Sequence, residues 1–593
     1  MGSSGAGKTT LLDALSQRKT IGKLEGDILM NGKPQPGSFR RITGYAEQMD
    51  VHNPHSTVRE ALRFSAQLRQ PGSVPDEERF QYVEHVIKLL GMTGIADCMV
   101  GEPESGEGIS LEERKRLTIG VELVAKPKIL FLDEPTSGLD AQASYTIVQF
   151  LRRLAAEGQT ILCTIHQPSS TLFEQFDRLL LLVRGGHTVY FGDIGHDAHA
   201  LINYFEKNGG PQCPPSANPA EYILDVVGSS TEGINWPEVW NASPERKASI
   251  EEIDHINNIR QHDPSANDTS EDDDRKYARL LPYQIQLVTR RMLLANWRDL
   301  QYNLVRFALQ IVSALTLGFS FIKTGNGVQD TQNKVFALFD CAVLSVLVIN
   351  QVQPQFLRQR QYYGRESSSN QYGWEAFSFA IIFTEWPFAI MANTLFFVCF
   401  YWLVGLNSIG QRTIYFYLMY QLLGIFSLTI GQAIASFCPN DIVASMVNPI
   451  FTAMMALTCG VTLPRRAMPK FYRSWLYWLS PYMYFIEGAI TNDIYKTSIR
   501  CRGGEFFHFT PPLGSSCGAY AGGFVGSFRG YLENGADTSR CSFCPYSNGQ
   551  QYYGRSSWSY SHRWRNFLIL LGFTCFNIFF TIFMIRIYKV NKR

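Results

Sequence analysis

The first residues of the chain form a glycine-rich segment of the kind that binds phosphate. Gly2-Ser3-Ser4-Gly5-Ala6-Gly7-Lys8-Thr9 fits the pattern G-x-x-x-x-G-K-[ST]. Glycines allow backbone N–H groups to wrap a phosphate chain, and the helix that follows points its positive end at it. Lys8 is predicted to contact the β- and γ-phosphates, and the Thr9 hydroxyl to coordinate Mg²⁺. Together with Thr10, the segment predicts a nucleotide-binding loop.

A second group of reactive side chains follows an apolar run. Ile129-Leu130-Phe131-Leu132 has the composition of a buried strand, and it ends in Asp133-Glu134. With a phosphate loop in the same chain, Asp133 is expected to join the Mg²⁺ shell, and Glu134 to polarise the attacking water. The alternative is a strand that ends in a turn with two solvated carboxylates.

Residues 1–228 have the pattern of an α/β domain that would position these groups. Short apolar runs at 129–132 and 160–165 suit buried parallel strands, and helical periodicity at 77–90 and 141–156 alternates with them. Residues 229–280 are polar and include the acidic run 271–274. This composition predicts a solvated, flexible linker, although the acidic run is also compatible with a docking site.

Residues 281–593 read as a membrane domain because apolar blocks dominate after residue 300. Six spans are predicted, at 304–322, 335–353, 377–403, 414–437, 443–462 and 567–587. At about 1.5 Å per residue the first is about 28 Å long, enough for a hydrocarbon core of about 30 Å. Arg306 is expected to extend toward the interface, and Glu385, inside the third span, toward other helices or a polar cavity.

Composition supports this division and excludes other classes. The formal charge of +2 gives no sign of a nucleic-acid partner, and 18% charged residues is low for a soluble chain. The near-zero mean hydropathy of −0.08 averages a polar part and an apolar part. Collagen-like, disulfide-scaffold and wholly disordered chains are excluded.

Several motifs resemble those of ATP-binding cassette (ABC) transporters. Asp133-Glu134-Pro135-Thr136-Ser137-Gly138-Leu139-Asp140 resembles their Walker B motif and D-loop, Gly44-Tyr45-Ala46-Glu47-Gln48 their Q-loop, and Thr164-Ile165-His166-Gln167-Pro168-Ser169 their switch loop. A cassette that precedes the membrane domain is typical of the ABCG type. The segments 113–123 and 541–546 are similar to those in the C-terminal half of fungal pleiotropic-drug-resistance (PDR) transporters.

The resemblance implies a fold and a set of roles. The fold would be an α/β P-loop NTPase followed by an all-α, six-helix ABCG-type membrane domain, with ATP and Mg²⁺ bound at the cassette. Gln48 would sense the γ-phosphate and metal and couple the cassette to the membrane helices. His166 would contact the γ-phosphate during hydrolysis. Asp140 would lie at the interface between two cassettes.

One departure from the family concerns the signature loop. The family reads Ser-Gly-Gly-Gln or Ser-Gly-Gly-Glu, whereas this chain has Ser110-Leu111-Glu112-Glu113. The missing glycines would have allowed backbone N–H groups to approach the γ-phosphate of an opposite cassette. Leu111 adds bulk, and Glu112 brings a negative charge toward phosphate. The resemblance therefore implies two unequal sites, with a partner's normal signature completing the competent one over Lys8 and Glu134.

A second departure concerns the strands that precede the phosphate loop. In the family an apolar strand and an adenine-stacking aromatic come before this loop, whereas here Met1 directly precedes Gly2. The expectation is a cassette incomplete at its N-terminus, in a chain that corresponds to the C-terminal half of a longer transporter. The complementary cassette and membrane domain would come from a missing N-terminal half or from a partner chain.

The segment 488–563 is predicted to be a polar extracellular loop before the last span. It contains Cys501, Cys517, Cys541 and Cys544. Four cysteines can bind zinc, but an oxidising exterior favours two disulfides, and the sequence leaves all three pairings open. Aromatic residues at 471–485, before this loop, predict an interfacial or re-entrant segment.

These features predict a multi-pass membrane ATPase that exports amphipathic compounds, xenobiotics or lipids. A lipid flippase or importer on the same scaffold, and a truncated fragment that does not transport, remain alternatives. The predicted partners are the lipid bilayer, an amphipathic substrate and the complementary half, with no nucleic acid. Resemblance implies the plasma membrane, with the cassette and the C-terminus in the cytosol.

Overall fold

The computed structural model describes residues 1–30, 32–102, 106–215, 217–228, 234–261 and 275–588. The chain divides into two compact units. The first, the cassette unit, contains residues 1–288 and 361–377; the second, the membrane unit, contains residues 289–360 and 378–588. Residues 262–274, which include the acidic run, and the basic residues at 589–593 lie outside the described part of the chain.

The cassette unit alternates helices and short strands. Its strands are β1 (Leu29–Met30), β2 (Lys33–Pro34), β3 (Thr43–Ala46), β4 (Ile129–Leu132), β5 (Thr160–Cys163), β6 (Arg178–Val183) and β7 (His187–Asp193). Its helices are α1 (Lys8–Leu15), α2 (Phe39–Ile42), α3 (Val58–Arg69), α4 (Asp76–Leu89), α5 (Leu111–Leu123), α6 (Ala141–Ala156), α7 (Ser170–Phe173), α8 (His199–Lys207), α9 (Pro219–Gly228), α10 (Trp236–Ala242) and α11 (Pro244–Gln261).

A parallel sheet in the order β3-β4-β5 positions the predicted site residues. Alternate side chains face opposite sides, as the two-residue period of a strand requires. Leu130 and Leu132 pack into the core formed with α3, α4, α5 and α6, whereas Phe131 packs with Tyr45 and Leu12 on the other face. Because parallel strands end at one edge, the residues after β3, β4 and β5 come together there.

Within residues 229–280, the described segment 234–261 contains ordered helices, which corrects the expectation of a flexible linker for that segment. Helices α10 and α11 lie within it, and α12 (Leu281–Arg298) follows. Trp236 and Trp240 are 5% exposed and pack with Phe205 and Tyr204 of α8. The two tryptophans bury enough apolar surface to order a segment whose average composition is polar.

The membrane unit is helical. Its helices are α13 (Leu300–Ser320), α14 (Val328–Val343), α15 (Ser345–Ser368), α16 (Trp374–Phe383), α17 (Trp386–Val404), α18 (Gly410–Phe437), α19 (Asp441–Thr458), α20 (Lys470–Trp475), α21 (Pro481–Ile494), α22 (Cys517–Phe528), α23 (Gly549–Gly554) and α24 (Arg563–Ile587). The unit boundary falls within α12, α15 and α16. A small sheet is formed by β8 (Phe507–Phe509), β9 (Tyr531–Leu532) and β10 (Cys541–Cys544).

Six helical segments in the described residues are long and apolar enough to cross a membrane. They are Leu300–Ser320, Val328–Ser368, Trp374–Val404, Gly410–Phe437, Asp441–Thr458 and Tyr560–Ile587. The second extends well beyond the predicted 335–353. The third is interrupted between α16 and α17, so Glu385 lies at the start of a helix rather than in the middle of one.

The aromatic segment 471–485, predicted to be interfacial or re-entrant, divides into an exposed first part and a buried second part. Every residue of α21 is buried, and Tyr482 and Phe485 are fully inaccessible. Helix α21 packs against α14, α18 and α24. Only the preceding part, with Phe471 66% exposed, has the accessibility of an interfacial segment.

A buried polar cluster joins α12, α13 and the break before α17. Arg306 Nη2 lies 2.7 Å from Glu385 Oε2, and Asn296 Nδ2 donates to Glu385 Oε1 at 3.0 Å. Arg306 is 2% exposed, so it pairs inside the unit instead of extending toward an interface. The predicted inward orientation of Glu385 agrees with the structure, because a buried carboxylate needs such partners.

Residues 488–563 form a folded subdomain rather than an open loop, and α21 includes their beginning. Disulfides join Cys501 to Cys544 and Cys517 to Cys541. They connect β10 to the segment before β8 and to α22. The described residues contain no cluster of three or more potential metal ligands. The sequence left three pairings of these four cysteines open, and the structure has Cys501–Cys544 with Cys517–Cys541.

Candidate nucleotide site

The phosphate loop adopts a backbone that glycine permits. Gly5 and Gly7 have φ angles of 79° and 90°, a region that other residues rarely adopt, and Gly7 directly precedes α1. Lys8 Nζ donates to the carbonyl oxygens of Gly2, at 2.8 Å, and Ser3, at 3.3 Å. The loop therefore curves around the lysine ammonium, and Ser3, Ser4, Thr9 and Thr10 are exposed.

Thr9 and Asp133 are in contact, although 124 positions separate them in the chain. Thr9 Oγ1 donates to Asp133 Oδ1 at 3.1 Å. The same carboxylate oxygen accepts a hydrogen bond from Thr164 Oγ1 at 2.7 Å. Asp133 is 6% exposed, so these hydroxyl groups satisfy a carboxylate that burial would otherwise destabilise.

Thr164 also orients Glu134. The backbone N–H of Glu134 donates to Thr164 Oγ1 at 2.9 Å, so one hydroxyl contacts both residues of the acidic pair. Glu134 has φ 47°, an uncommon backbone conformation for a residue with a side chain. Such a conformation persists where surrounding contacts hold it, and it occurs often at active sites.

Gln48 reaches the acidic pair from the end of β3. Its Nε2 donates to Glu134 Oε2 at 2.9 Å, and both groups are accessible to solvent. Lys115 of α5 donates to the backbone carbonyl of Gln48 at 2.8 Å and lies 3.1 Å from Asp50. The Q-loop is therefore held from α5, while its glutamine side chain faces the site.

The donor set at this edge fits a magnesium ion. Mg²⁺ prefers hydroxyl and carboxylate oxygens and keeps several waters. Thr9 and Asp133 supply such oxygens within 3.1 Å of each other, and the amide oxygen of Gln48 is a further candidate ligand. Asp133 is the one buried carboxylate of the pair and is placed to act as a ligand, whereas the more exposed Glu134 is placed to contact a water molecule.

Two other predicted site residues, His166 and Asp140, lie on the segments that follow β5 and β4. His166 is exposed on the loop after β5, two residues beyond Thr164, and the hydrogen bonds described above do not involve it. Gln167, which follows it, has φ 45°. Asp140 caps the start of α6, because its side chain accepts from the backbone N–H of Ala143 at 2.7 Å. Their roles toward nucleotide stay predictions.

The segment aligned with the family's signature starts α5. Ser110 Oγ accepts from the backbone N–H of Glu113, and the Glu113 carboxylate accepts from the N–H of Ser110 at 2.8 Å. This reciprocal pair is a capping box. Leu111 is 52% exposed, and Glu112 is paired with Arg116 one turn later. The negative charge expected at Glu112 is thus partly offset within the helix.

The segment that follows the Q-loop contacts the part of α15 that belongs to the cassette unit. Arg365 donates to the carbonyl of Val51 and contacts His52 Nδ1 at 3.0 Å. His52 Nε2 lies 2.8 Å from the Thr118 hydroxyl. Burial, followed by the charges of Arg365 and Arg114, holds the pKa of His52 well below its ordinary value, so the ring is neutral near pH 7.

The structure thus brings Lys8, Thr9, Gln48, Asp133 and Glu134 to one edge of the sheet. Sequence reasoning placed Thr164 in the switch loop but gave it no role of its own. A hydroxyl residue directly after β5, in register with the end of the neighbouring β4, is the signal that would have identified it. Lys115 was not recognised either, because its contact with Gln48 depends on how α5 packs.

Family models match successive parts of the chain. Residues 1–137 match the model described as ABC transporter, and residues 283–494 match one described as ABC-2 type transporter. Residues 166–249 match a second ABC-2 type transporter model, and residues 544–593 match a model described as CDR ABC transporter. The matched order agrees with a cassette followed by a membrane domain.

Curated relatives align along nearly the whole chain. ABC transporter G family member 21 of Dictyostelium discoideum is 45% identical over all of this chain and 41% of its own length. The brefeldin A resistance protein of Schizosaccharomyces pombe is 46% identical over all of this chain and 39% of its own length. ABC multidrug transporter I of Aspergillus fumigatus is 44% identical over 98% of this chain and 39% of its own length.

These matches define the class of protein: the chain belongs to the ABC transporter family. Within that family its relatives are of the ABCG type, which includes the pleiotropic-drug-resistance transporters. The predicted fold class, a P-loop cassette followed by a helical membrane domain, is confirmed. The chain spans about two fifths of the length of the curated relatives it matches.

Proposed function

We propose that this chain is one half of an ATP-driven exporter of amphipathic compounds, xenobiotics or lipids. The observation that carries the proposal is the contact of Thr9, Asp133, Thr164, Glu134 and Gln48 at the edge of the cassette sheet. These residue types in this arrangement suit nucleotide hydrolysis. The brefeldin A resistance and multidrug names of two relatives support an amphipathic drug as cargo.

In the proposed reaction the side chains of the site have distinct tasks. Lys8 and the N-terminal end of α1 bind the phosphates, and Thr9, Asp133 and Gln48 would hold Mg²⁺. Bound Mg²⁺ supplies charge neutralisation on the phosphate oxygens. Glu134 orients and polarises the attacking water, with Gln48 fixing its carboxylate and Thr164 its backbone. His166 is proposed to contact the γ-phosphate from the adjacent loop.

We propose that a second cassette and a second membrane domain complete the transporter. The relatives are about two and a half times as long as this chain, which supports a complementary half in the same polypeptide or in a partner. The proposed partner contributes the signature that faces Lys8 and Glu134. Asp140 would lie at the resulting interface between cassettes.

The proposed location is the plasma membrane, with the cassette in the cytosol. Disulfides persist outside the reducing cytosol, and both disulfides lie in the subdomain between α21 and α24. The cysteines of the cassette unit, Cys98, Cys163 and Cys213, are free thiols. This distribution supports opposite compartments for the subdomain and the cassette.

The decisive experiment is Glu134→Gln in cells that express the transporter, with brefeldin A as the cargo. Intracellular brefeldin A and vanadate-sensitive ATP hydrolysis in isolated membranes are measured together with binding of a fluorescent ATP analogue. Loss of the carboxylate is expected to reduce hydrolysis by about 10²-fold or more and to abolish efflux, while nucleotide binding remains. Glu157→Gln, at the end of α6, is the control.

Two outcomes would contradict this assignment. Sustained brefeldin A efflux in Glu134→Gln would remove Glu134 from the proposed role. Accumulation of brefeldin A that depends on ATP, rather than its loss from the cell, would favour import. A separate assay of the purified chain alone tests the inert-fragment alternative, which vanadate-sensitive hydrolysis would exclude.

A further inference from the structure

A buried arginine connects the helix after the phosphate loop to the end of α15. Arg18 lies three residues beyond α1 and is 4% exposed. Its Nη1 donates to Ser368 Oγ at 2.7 Å and its Nη2 to Ser369 Oγ at 2.8 Å. Both serines belong to the 361–377 segment of the cassette unit.

The arginine is also held against α1 and β3. Its guanidinium lies over the ring of Tyr45, 4.4 Å from the centroid, and the Tyr45 hydroxyl donates to Asp13 Oδ1 of α1 at 2.8 Å. Burial lowers the pKa of Arg18 to about 10, against the opposing charge of Glu122, so the group stays protonated near pH 7. Arg18 therefore connects α1, strand β3 and the 361–377 segment.

The direct hydrogen-bond partners of Arg18 differ from those of a second buried arginine, Arg69. A buried charge is costly unless an opposite charge and hydrogen bonds compensate it. Arg69 meets that condition, because its Nη1 lies 2.6 Å from Glu122 and its Nη2 donates to the carbonyl of Thr43. Arg18 instead directs its two terminal nitrogens to neutral hydroxyls, and Glu122 and Glu47 favour its positive charge through electrostatic attraction.

The position of the serines indicates what the contact does. Ser368 is the last residue of α15, a continuous helix of 24 residues whose first part, up to Arg360, belongs to the membrane unit. Ser368 Oγ also donates to the carbonyl of Arg365, the residue that contacts Val51 just after the Q-loop. The end of α15 thus has two separate connections to other parts of the cassette unit, one to the segment just after the Q-loop and one to Arg18, just after α1.

We propose that Arg18 is a positioning residue that transmits displacement of α1 to α15, in parallel with the segment that follows the Q-loop. This inference rests on the proposed function. Nucleotide bound at the N-terminal end of α1 would bias the position of the helix, and Arg18 would carry that bias to Ser368 and Ser369. Because coupling between sites is reciprocal, cargo in the membrane unit would alter nucleotide affinity through the same contact.

The test is Arg18→Met, which keeps an unbranched side chain against Tyr45 and removes the charge and both hydrogen bonds. In membranes containing the transporter, brefeldin A efflux, ATP hydrolysis and the KM for ATP with and without brefeldin A are measured. Basal hydrolysis is expected to stay within about twofold, and efflux per ATP hydrolysed to fall about tenfold, within the usual range of coupling between sites. The effect of brefeldin A on the KM for ATP should disappear.

Three further variants separate coupling from a structural role. Lys19→Met removes the neighbouring positive charge and should behave as wild type. Ser368→Ala combined with Ser369→Ala removes the acceptors without changing Arg18, and should reproduce the loss of efflux per ATP. Arg18→Lys keeps the charge but cannot reach both hydroxyls as a planar fork does, and should be intermediate.

The outcomes are distinguishable from failure of the proposed function. If Arg18→Met lowers hydrolysis and efflux in parallel, or changes neither, the inference is wrong although Glu134→Gln still abolishes efflux. If Arg18→Met does not reach the membrane, efflux per ATP hydrolysed is measured in the double serine variant instead. An unchanged value in that variant contradicts the inference. Efflux that persists in Glu134→Gln contradicts the proposed function itself.

Discussion

The phosphate loop before α1 and the start of α5 are two helix N-termini that are both proposed to face nucleotide. They expose different groups to solvent. At the phosphate loop, small residues leave the backbone accessible, and Ser3, Ser4 and Thr9 are exposed. At α5, an exposed Leu111 and the carboxylate of Glu112 occupy the first turn. A helix start with small residues accepts an anion, whereas one with a bulky apolar group and a carboxylate opposes it.

The difference indicates that this cassette retains the residues proposed for hydrolysis and departs from the family at the segment proposed to face the nucleotide of a partner cassette. Thr9 and Thr164 donate to Asp133, the backbone N–H of Glu134 donates to Thr164, and Gln48 donates to the Glu134 carboxylate. The capping box of Ser110 and Glu113 keeps α5 intact despite the altered residues between them. The altered residues therefore concern the proposed contact with nucleotide, and α5 still begins with a complete capping box.

Of the changes that test this comparison, Thr164→Val beside Asp133 and Glu134 is expected to have the largest effect on ATP hydrolysis. The variant keeps the shape of the buried side chain but removes the hydroxyl that contacts Asp133 and the N–H of Glu134. Loss of such a supporting contact typically costs about 10–100-fold in activity. ATP hydrolysis in isolated membranes should fall by that factor.

Thr164→Ser retains the hydroxyl and is the matched control. It should restore hydrolysis to within about threefold of wild type, since the same bonds can form. Equal hydrolysis in the valine variant and the wild type would show that the hydroxyl is not needed for the geometry of the site.

A smaller effect, on the stability of the cassette, is expected from Ser110→Ala at the start of α5. Removing an N-cap hydroxyl costs about 1 kcal/mol because one backbone N–H at the helix start loses its acceptor. Thermal unfolding of the cassette, followed by tryptophan fluorescence in detergent, should shift to lower temperature. Ser110→Thr keeps the acceptor and should unfold close to the wild type; an unchanged midpoint in the alanine variant would contradict the role of the cap.

The smallest effect is expected from Leu111→Gly combined with Glu112→Gly. Restoring glycines gives a phosphate access to the backbone N–H groups of α5 and removes the opposing charge. Hydrolysis by the complete transporter should rise by at most about twofold, because one additional site would become competent. Arg116→Gln, which leaves Glu112 unpaired without restoring glycine, should give no increase.

No change in hydrolysis or efflux after restoring both glycines would remove the proposed asymmetry. The comparison between the two helix starts would then describe only their local structure. A rise with Arg116→Gln as well would attribute the effect to the ion pair and not to backbone access.

Much of the cassette followed from the local pattern. The sequence predicted the bounds of β4 from a short apolar run and those of α6 from a helical period of apolar residues. The order Lys8, Gln48, Asp133, His166 also indicated the family before any contact was known. The helices at 236–261 were missed, since a mean over a polar segment conceals two buried tryptophans.

In the membrane unit, the sequence located six apolar segments but not their ends or partners. Hydropathy does not distinguish a lipid-facing helix from α21, whose apolar side chains are all buried within protein. The break before α17 was hidden because Trp386 and Pro387 continue an apolar run. The acceptors of Arg306 and Arg18 lie 79 and 350 positions away, beyond any local pattern.

The sequence by itself determined the chemistry of this protein: a phosphate loop, an acidic pair after a strand, and a cassette placed before six apolar segments. These depend on residue types at fixed spacing, which the chain states directly. Only the tertiary structure decided that Thr164 serves both acidic residues, that Cys501 pairs with Cys544, and that Arg18 reaches the end of α15. Each of these is a contact between distant positions, and such contacts form only when packing brings the elements together.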